Sequence, residues 1–322
     1  MLHIFRHNGT ACAIIKAIRD FDDGRMFLMI DLLIPTVAQG LLWALMALGV
    51  YVTFRVLDIA DLTVEGSFPL GAATAASMMV AGYGVMPSLL AAFITGTLAG
   101  VATGLLHTKM KIPALLAGIL TMIALYSVNL RIMGKANLSL LGVDTCFKIA
   151  REALGMNMAQ TTLLVGLAAT ALVGLFLYWF FGTQIGAAIR ATGFNQQMIR
   201  AQGVDTDVTI ILGLLLSNGL VALSGALVAQ SNGFSDVGMG TGTIVIGLAS
   251  VIIGEVLFGT RSFKNCLISV VLGSIVYRIV IAAVLAMGMP PNDLKLFTSV
   301  LVALALSMPL IKAKLSGRKA VR

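Results

Sequence analysis

Long apolar runs of about twenty residues alternate with short polar stretches along the chain, and the alternation predicts nine membrane segments. They lie at roughly 34–54, 61–82, 86–108, 113–132, 160–182, 208–231, 241–259, 264–287 and 295–311. Each is about long enough to cross the ~30 Å hydrocarbon layer as a helix. Pro35, Pro87 and Pro113 fall where helices should start, a position at which a missing N–H costs nothing. Segment two, "DIADLTVEGSFPLGAATAASMM", departs from the pattern, because it holds Asp58, Asp61, Glu65, Gly66 and an internal Pro69. A broken or kinked helix shielded by protein is expected there. Segment seven follows "GMGTGT" (238–243) and is short and glycine-rich, consistent with a re-entrant passage. Gly96, Gly100 and Gly104 repeat the small-xxx-small spacing that lets membrane helices approach closely.

Composition points the same way: 58% of residues are hydrophobic and 11% charged, with a mean hydropathy of +0.98. Soluble domains run at about 45–50% apolar and about 25% charged. The net charge of +8 does not read as a nucleic-acid surface, because the basic residues are scattered between apolar runs. They read as juxtamembrane anchors. With the 312–322 tail inside, that side also receives Arg55, Lys109, Lys111, Arg190, Arg200, Arg261 and Lys264. The outside receives only Arg131, Lys135, Lys148, Arg151 and Lys295, so the expected topology is N-out, C-in. Residues 1–33 break this bias with Arg6, Lys16, Arg19 and Arg25, and "TACAIIKAI" is too short for a signal peptide. A start at Met26 or Met29 is the expectation; an amphipathic surface helix over 11–19 is the alternative. Cys12, Cys146 and Cys266 have neither metal-site nor CxxC spacing, and no cofactor is implied.

Four spans precede the fifth and four follow it in opposite orientation. In each set the second member is irregular and acidic, with Glu65 in one and Glu255 in the other. That pattern fits two inverted repeats with discontinuous helices, a recurring transporter design. Between the halves lies "AIRATGFNQQMIRAQG" (188–203), which is polar and cytoplasmic in this topology. A helix over 194–202 is expected between two potential breakers, Gly193 and Gly203. It is either a solvated connector or a docking helix, whose apolar side would be Phe194, Met198 and Ile199. Asn195, Gln196 and Arg200 would then make polar contacts at the rim, with Arg190 anchoring the preceding turn to the membrane surface.

"GAAIRATGFNQQMIRAQGVDTD" (186–207) resembles the cytoplasmic coupling segment of bacterial ABC importer permeases of the branched-chain amino acid and ribose type. "GLLWALMALGVYVTFRVLDIADLTVEGSFPLGAA" resembles more narrowly their uncharacterised or tryptophan/tyrosine permease subgroup. The likeness covers about residues 34–311, and the 1–33 leader and the basic tail lie outside it. It implies an all-α polytopic membrane protein with about nine segments in two inverted repeats, type II-like, with broken helices and a short coupling helix. Its implied partners are a cytoplasmic ABC ATPase, an extracytoplasmic solute-binding lipoprotein, a second permease copy and membrane lipid. Coupling would fall on Arg190, Phe194, Asn195, Gln196, Met198, Ile199, Arg200 and Gly203. The implied function is uptake of an amino acid or similar small solute.

The chain has no GxxxxGK[ST] loop, so ATP hydrolysis is expected in a separate subunit. "GMGTGT" is a glycine-rich helix entry on the outer side. Without HExxH or GxSxG, an intramembrane enzyme is disfavoured. An ion-coupled secondary transporter remains the rival, with sugar or nucleoside permeases as relatives of the main reading. Ionisable residues at membrane depth line cavities or pair with one another. The translocation candidates are therefore Glu65, Glu255 and Arg278, the last two either contacting solute or pairing together. The neutral candidates Ser67, Asn129, Ser217 and Asn218 would bond a solute or a neighbouring helix.

Overall fold

The computed structural model describes residues 33–286 together with 293, 296–300, 302, 303 and 307. Helix α1 (Leu33–Val56) closes in a π turn at Val52–Val56. It is followed by α2 (Val64–Val80), α3 (Val85–Thr108), α4 (Ala114–Met133) and the short strand β1 (Asn137–Ser139). Next come α5 (Cys146–Leu154), α6 (Met158–Phe181), α7 (Gln184–Phe194), α8 (Gln196–Ala201) and α9 (Thr206–Asn232). Strand β2 (Phe234–Asp236), a 3-10 turn (Val237–Gly240), α10 (Thr243–Phe258) and α11 (Phe263–Ala286) complete the order. Among the described residues seven helices are long and apolar enough to cross a membrane: α1, α3, α4, α6, α9, α11 and α10 counted with its preceding turn.

Two of the nine expected segments are not among those seven. Of segment nine only 296–300, 302, 303 and 307 are described, all helical. Segment two yields α2, only 17 residues long and almost wholly buried. Pro69 does not break it. The helix runs through the proline, and the irregular backbone lies ahead of it at 57–63, where Asp58 adopts φ 56°. The carbonyl of Glu65, which Pro69 cannot bond, is where Gly240 makes its close approach. The expectation for residues 1–33 and the tail falls outside the described residues, except for Leu33.

Helix α9 is the hub, packed along α2 and α3 and buried over most of its length. Glycine sets these spacings. A Cβ on Gly71 would overlap the carbonyl of Ala222, one on Gly225 that of Phe68, and one on Gly100 that of Leu214. Gly96 and Gly104 also lie against α9, at Asn218 and Ile211, so the stripe on α3 is a helix–helix seam. Side-chain hydrogen bonds tie the buried helices together: Ser224 donates to the Leu42 carbonyl at 2.7 Å and Thr170 to that of Leu41 at 2.9 Å. Outer helices α3, α4 and α6 expose large apolar side chains such as Leu98, Ile123 and Leu172. That is unremarkable where lipid is the solvent.

The two ends of the bundle differ. At one end β1 and β2 pair antiparallel, Asn137 opposite Asp236, and the amphipathic α5 packs against α6 and α9. The carboxy ends of α4 and α9 therefore share a face. At the other end Lys109, Lys111 and Arg200 converge on Asp207, and Arg55 donates twice to Glu255. Cys146 and Cys266 are free thiols, and burial pushes the Cys146 thiol up to about 12, which marks it as an unreactive residue.

Candidate functional sites within the bundle and at its basic end

Helices α2 and α10 both begin inside the protein. Asn129, fifteen residues into α4 and so about 22 Å along it, donates from Nδ2 to the Gly66 carbonyl at 3.3 Å. Glu65 therefore sits deep in the bundle, although it stands near the start of its apolar segment. The reason is that 57–63 climbs through the protein before α2 starts. Thr63 meets Thr103 at 2.7 Å, and Asp61 accepts from Asn218 at 2.7 Å. From the opposite side, β2 and the 3-10 turn lead down to the start of α10. There the Gly242 N–H donates to Glu65 Oε1 at 3.0 Å. One carboxylate thus joins the two interrupted helices.

Beside it is a cavity of about 420 Å³ between α2, α4 and the 237–241 turn. Among the described residues Glu65 is the only charged one that lines it; Tyr126, Ser127, Asn129 and Thr241 supply further polar groups. Tyr126 and Ser127 are exposed, so the cavity opens on the α4 side. Asn129 Oδ1 is buried and receives no hydrogen bond. A volume of this order suits a small molecule.

Of the translocation candidates, only Glu65 and Asn129 line this cavity. Ser67, Ser217 and Asn218 are fully buried and satisfied elsewhere. Ser67 donates to Asn218 at 2.6 Å, and Ser217 to the Gly49 carbonyl at 2.7 Å. They are interhelical ties, because α9 is the hub and polar groups on it reach neighbours on every side. The Glu255–Arg278 pair is not formed. Glu255 takes Arg55, at the end of α1, and Arg278 lies with its guanidinium 4.1 Å from the centre of the Trp43 ring. Among the described residues no carboxylate pairs with Arg278. Arg55 is separated from Glu255 by 200 positions, so nothing local in the sequence signals the contact. Glu255→Ala is expected to lower the stability of the detergent-solubilised protein by about 1 kcal/mol. Arg55→Ala added to it should cost little more; thermal unfolding of both variants checks this.

At the basic end the predicted 194–202 helix is divided differently. Gly193 is no breaker: it lies within α7, where a Cβ would overlap the Val56 carbonyl. The break is Asn195, whose extended backbone ends α7 and whose side chain caps α8 by accepting from Met198 N–H at 3.0 Å. Gly203, at φ 84°, ends the turn after α8 as expected. Thr192 bonds Thr209 at 2.9 Å, fastening α7 to α9.

The apolar side is corrected too. Phe194 is 90% exposed and Met198 46%, but Ile199 is buried at 4% and belongs to the protein's own packing. Arg200 remains exposed while it bonds Thr206 at 2.5 Å and approaches Asp207 at 3.4 Å. Arg190, exposed, lies 5.0 Å over the Phe263 ring. Gln196, with Asn195 and Gln197, is exposed beside Phe194.

The family model for the permease component of branched-chain amino acid transport systems matches residues 32–307. A tyrosine transport system permease protein of Clostridioides difficile is 40% identical over 270 residues, covering 84% of this chain and 88% of that one. An uncharacterized protein of Rickettsia prowazekii is 33% identical over 281 residues, 86% and 97% of the two chains. The galactofuranose transporter permease protein of Escherichia coli K12 is 30% identical over 264 residues, 80% and 74%. No solved structure matches the chain.

Proposed function

Because the chain belongs to the family of branched-chain amino acid transport permease components, we propose that it is the membrane subunit of an ATP-driven importer for an amino acid, tyrosine or a close analogue. The observation that carries this reading is the paired exposure of Phe194 and Met198 at the basic end, on helices braced against α1 at Gly193 and α9 at Thr192. An apolar pair astride the α7–α8 junction is what a groove on a cytoplasmic ATPase would grip. The backbone at Val56 that Gly193 touches leads directly through 57–63 to Glu65. A push at Phe194 therefore has a short route to the cavity, through the Gly193–Val56 contact and then along the backbone.

The permease would lie N-out and C-in in the bacterial cytoplasmic membrane. The basic residues Arg55, Lys109, Lys111, Arg190, Arg200, Arg261 and Lys264 support that orientation. The opposed starts of α2 and α10 support two inverted repeats, with segment nine completing the second. Solute would arrive from a binding protein on the β1–β2 side. A second copy is supported by the lateral opening of the cavity, since a carboxylate facing acyl chains is costly; lipid would cover the remaining apolar faces. The tyrosine permease relative favours an aromatic amino acid.

Proteoliposomes holding this permease, the ATPase and the tyrosine-loaded binding protein test the reading. Uptake of labelled tyrosine should require Mg-ATP and be indifferent to ionophores. Uptake driven by a sodium or proton gradient without the ATPase would make the chain a secondary transporter.

A further inference from the structure

Resting on the solute path just proposed, we infer that the Glu65–Asn129 cavity recognises the ammonium group of the solute and rejects analogues lacking a cationic amine. The polar lining is arranged to accept. Glu65 lines the cavity, and its Oε1 already holds the Gly242 N–H, which leaves Oε2 as the carboxylate oxygen available to a ligand. The orientation of the Asn129 amide is not arbitrary. Its donor must face the Gly66 carbonyl, itself only an acceptor, so the oxygen is the atom left unbonded. A buried acceptor without a donor costs about 1–3 kcal/mol. That cost is relieved when a ligand brings N–H groups.

An ammonium has three donors and a positive charge. It answers both the unpaired amide oxygen and the single carboxylate, among lining residues that hold no cation. A carboxylate or phosphate would find like charge and no basic partner here. The half-charge of the α10 helix start offsets only part of the carboxylate's field. The exposed Tyr126 ring at the mouth gives an aromatic solute a surface on which to lie. The solute's carboxylate would point away from this cavity.

The test needs neither the ATPase nor knowledge of the solute. In a background with Cys12, Cys146 and Cys266 replaced by serine or alanine, Ser127→Cys places a thiol on the lining. Its labelling rate is measured with a cationic and an anionic methanethiosulfonate of similar size, each normalised to free thiol. A cleft of one sign concentrates the opposite ion, so the cationic reagent should react at least about tenfold faster. Glu65→Gln, which keeps an acceptor for Gly242, should remove the preference. If that variant does not fold, Asn129→Asp should raise the ratio above that of Ser127→Cys alone. Equal rates, or an anionic preference, overturn the inference.

A second arm uses ligands as protectants. Millimolar tyramine should slow labelling by a neutral methanethiosulfonate, and 3-(4-hydroxyphenyl)propanoate should not. Equal protection by the two also overturns it. A cation-selective cavity in a protein that fails to import tyrosine would leave this inference standing and remove only the choice of solute.

Discussion

Phe194→Asp is expected to abolish ATPase association and solute uptake together while leaving the permease folded in the membrane. Phe194 is 90% exposed, so its replacement removes almost no internal packing. Once the side chain enters an apolar groove, an unpaired carboxylate there costs several kcal/mol. At about 1.4 kcal/mol per tenfold, that is a loss of affinity on the order of a thousandfold. Met198→Asp should act in the same direction and more weakly, being half as exposed. Ile199→Asp is a different experiment: it buries the charge inside the permease and should destabilise the α8 turn itself. Co-purification of a tagged ATPase, read beside uptake, separates these outcomes. Normal binding and uptake in both Phe194→Asp and Met198→Asp would reduce α7 and α8 to a connector.

Gly71→Val should have the largest effect on the fold. The added Cβ would lie on top of the Ala222 carbonyl, and the helices cannot separate locally. Gly225 on α9 sits equally tight against the Phe68 carbonyl one turn away. Overpacking of a close-fitting core costs typically 1–3 kcal/mol and more when backbone is struck. Here α2 would have to slide along α9, breaking the bonds of Asn218 to Asp61 and Ser67. Almost no monodisperse protein should survive detergent extraction. Gly174→Val on α6, where nothing lies within 4 Å, should extract normally. Equal yields of the two would show that the α2–α9 seam is not a tight contact.

Hydrophobic runs were enough to place most membrane helices, because length and apolar content are read residue by residue. The α3 glycine stripe was legible for the same reason: one helix face repeats every four residues. Depth was not legible. Glu65 sits near the front of an apolar segment, and only the tertiary path of 57–63 lifts it to the level of Asn129. Partners were not legible either, since Arg55 and Glu255, or Glu65 and Gly242, meet across 200 and 177 positions. At the basic end the polar character of 188–203 was plain, but the side chains that turn inward depend on packing. Ile199 is buried in the protein's own packing, and the break falls at Asn195 because its side chain can cap and that of Gly193 cannot.

The interrupted start of α2 also sets an order of events during synthesis. Its acidic residues leave the ribosome early, whereas Asn218, which holds Asp61, and Gly242, which holds Glu65, follow 157 and 177 residues later. At about 5–20 residues per second the wait is on the order of ten to thirty seconds. Through that interval a short segment with uncompensated carboxylates has no stable place among acyl chains. It must be kept at the water boundary or within the insertion machinery until α9 arrives. The chain's hub is thus also its clock, and truncation ahead of α9 should leave α2 accessible to water-soluble labels.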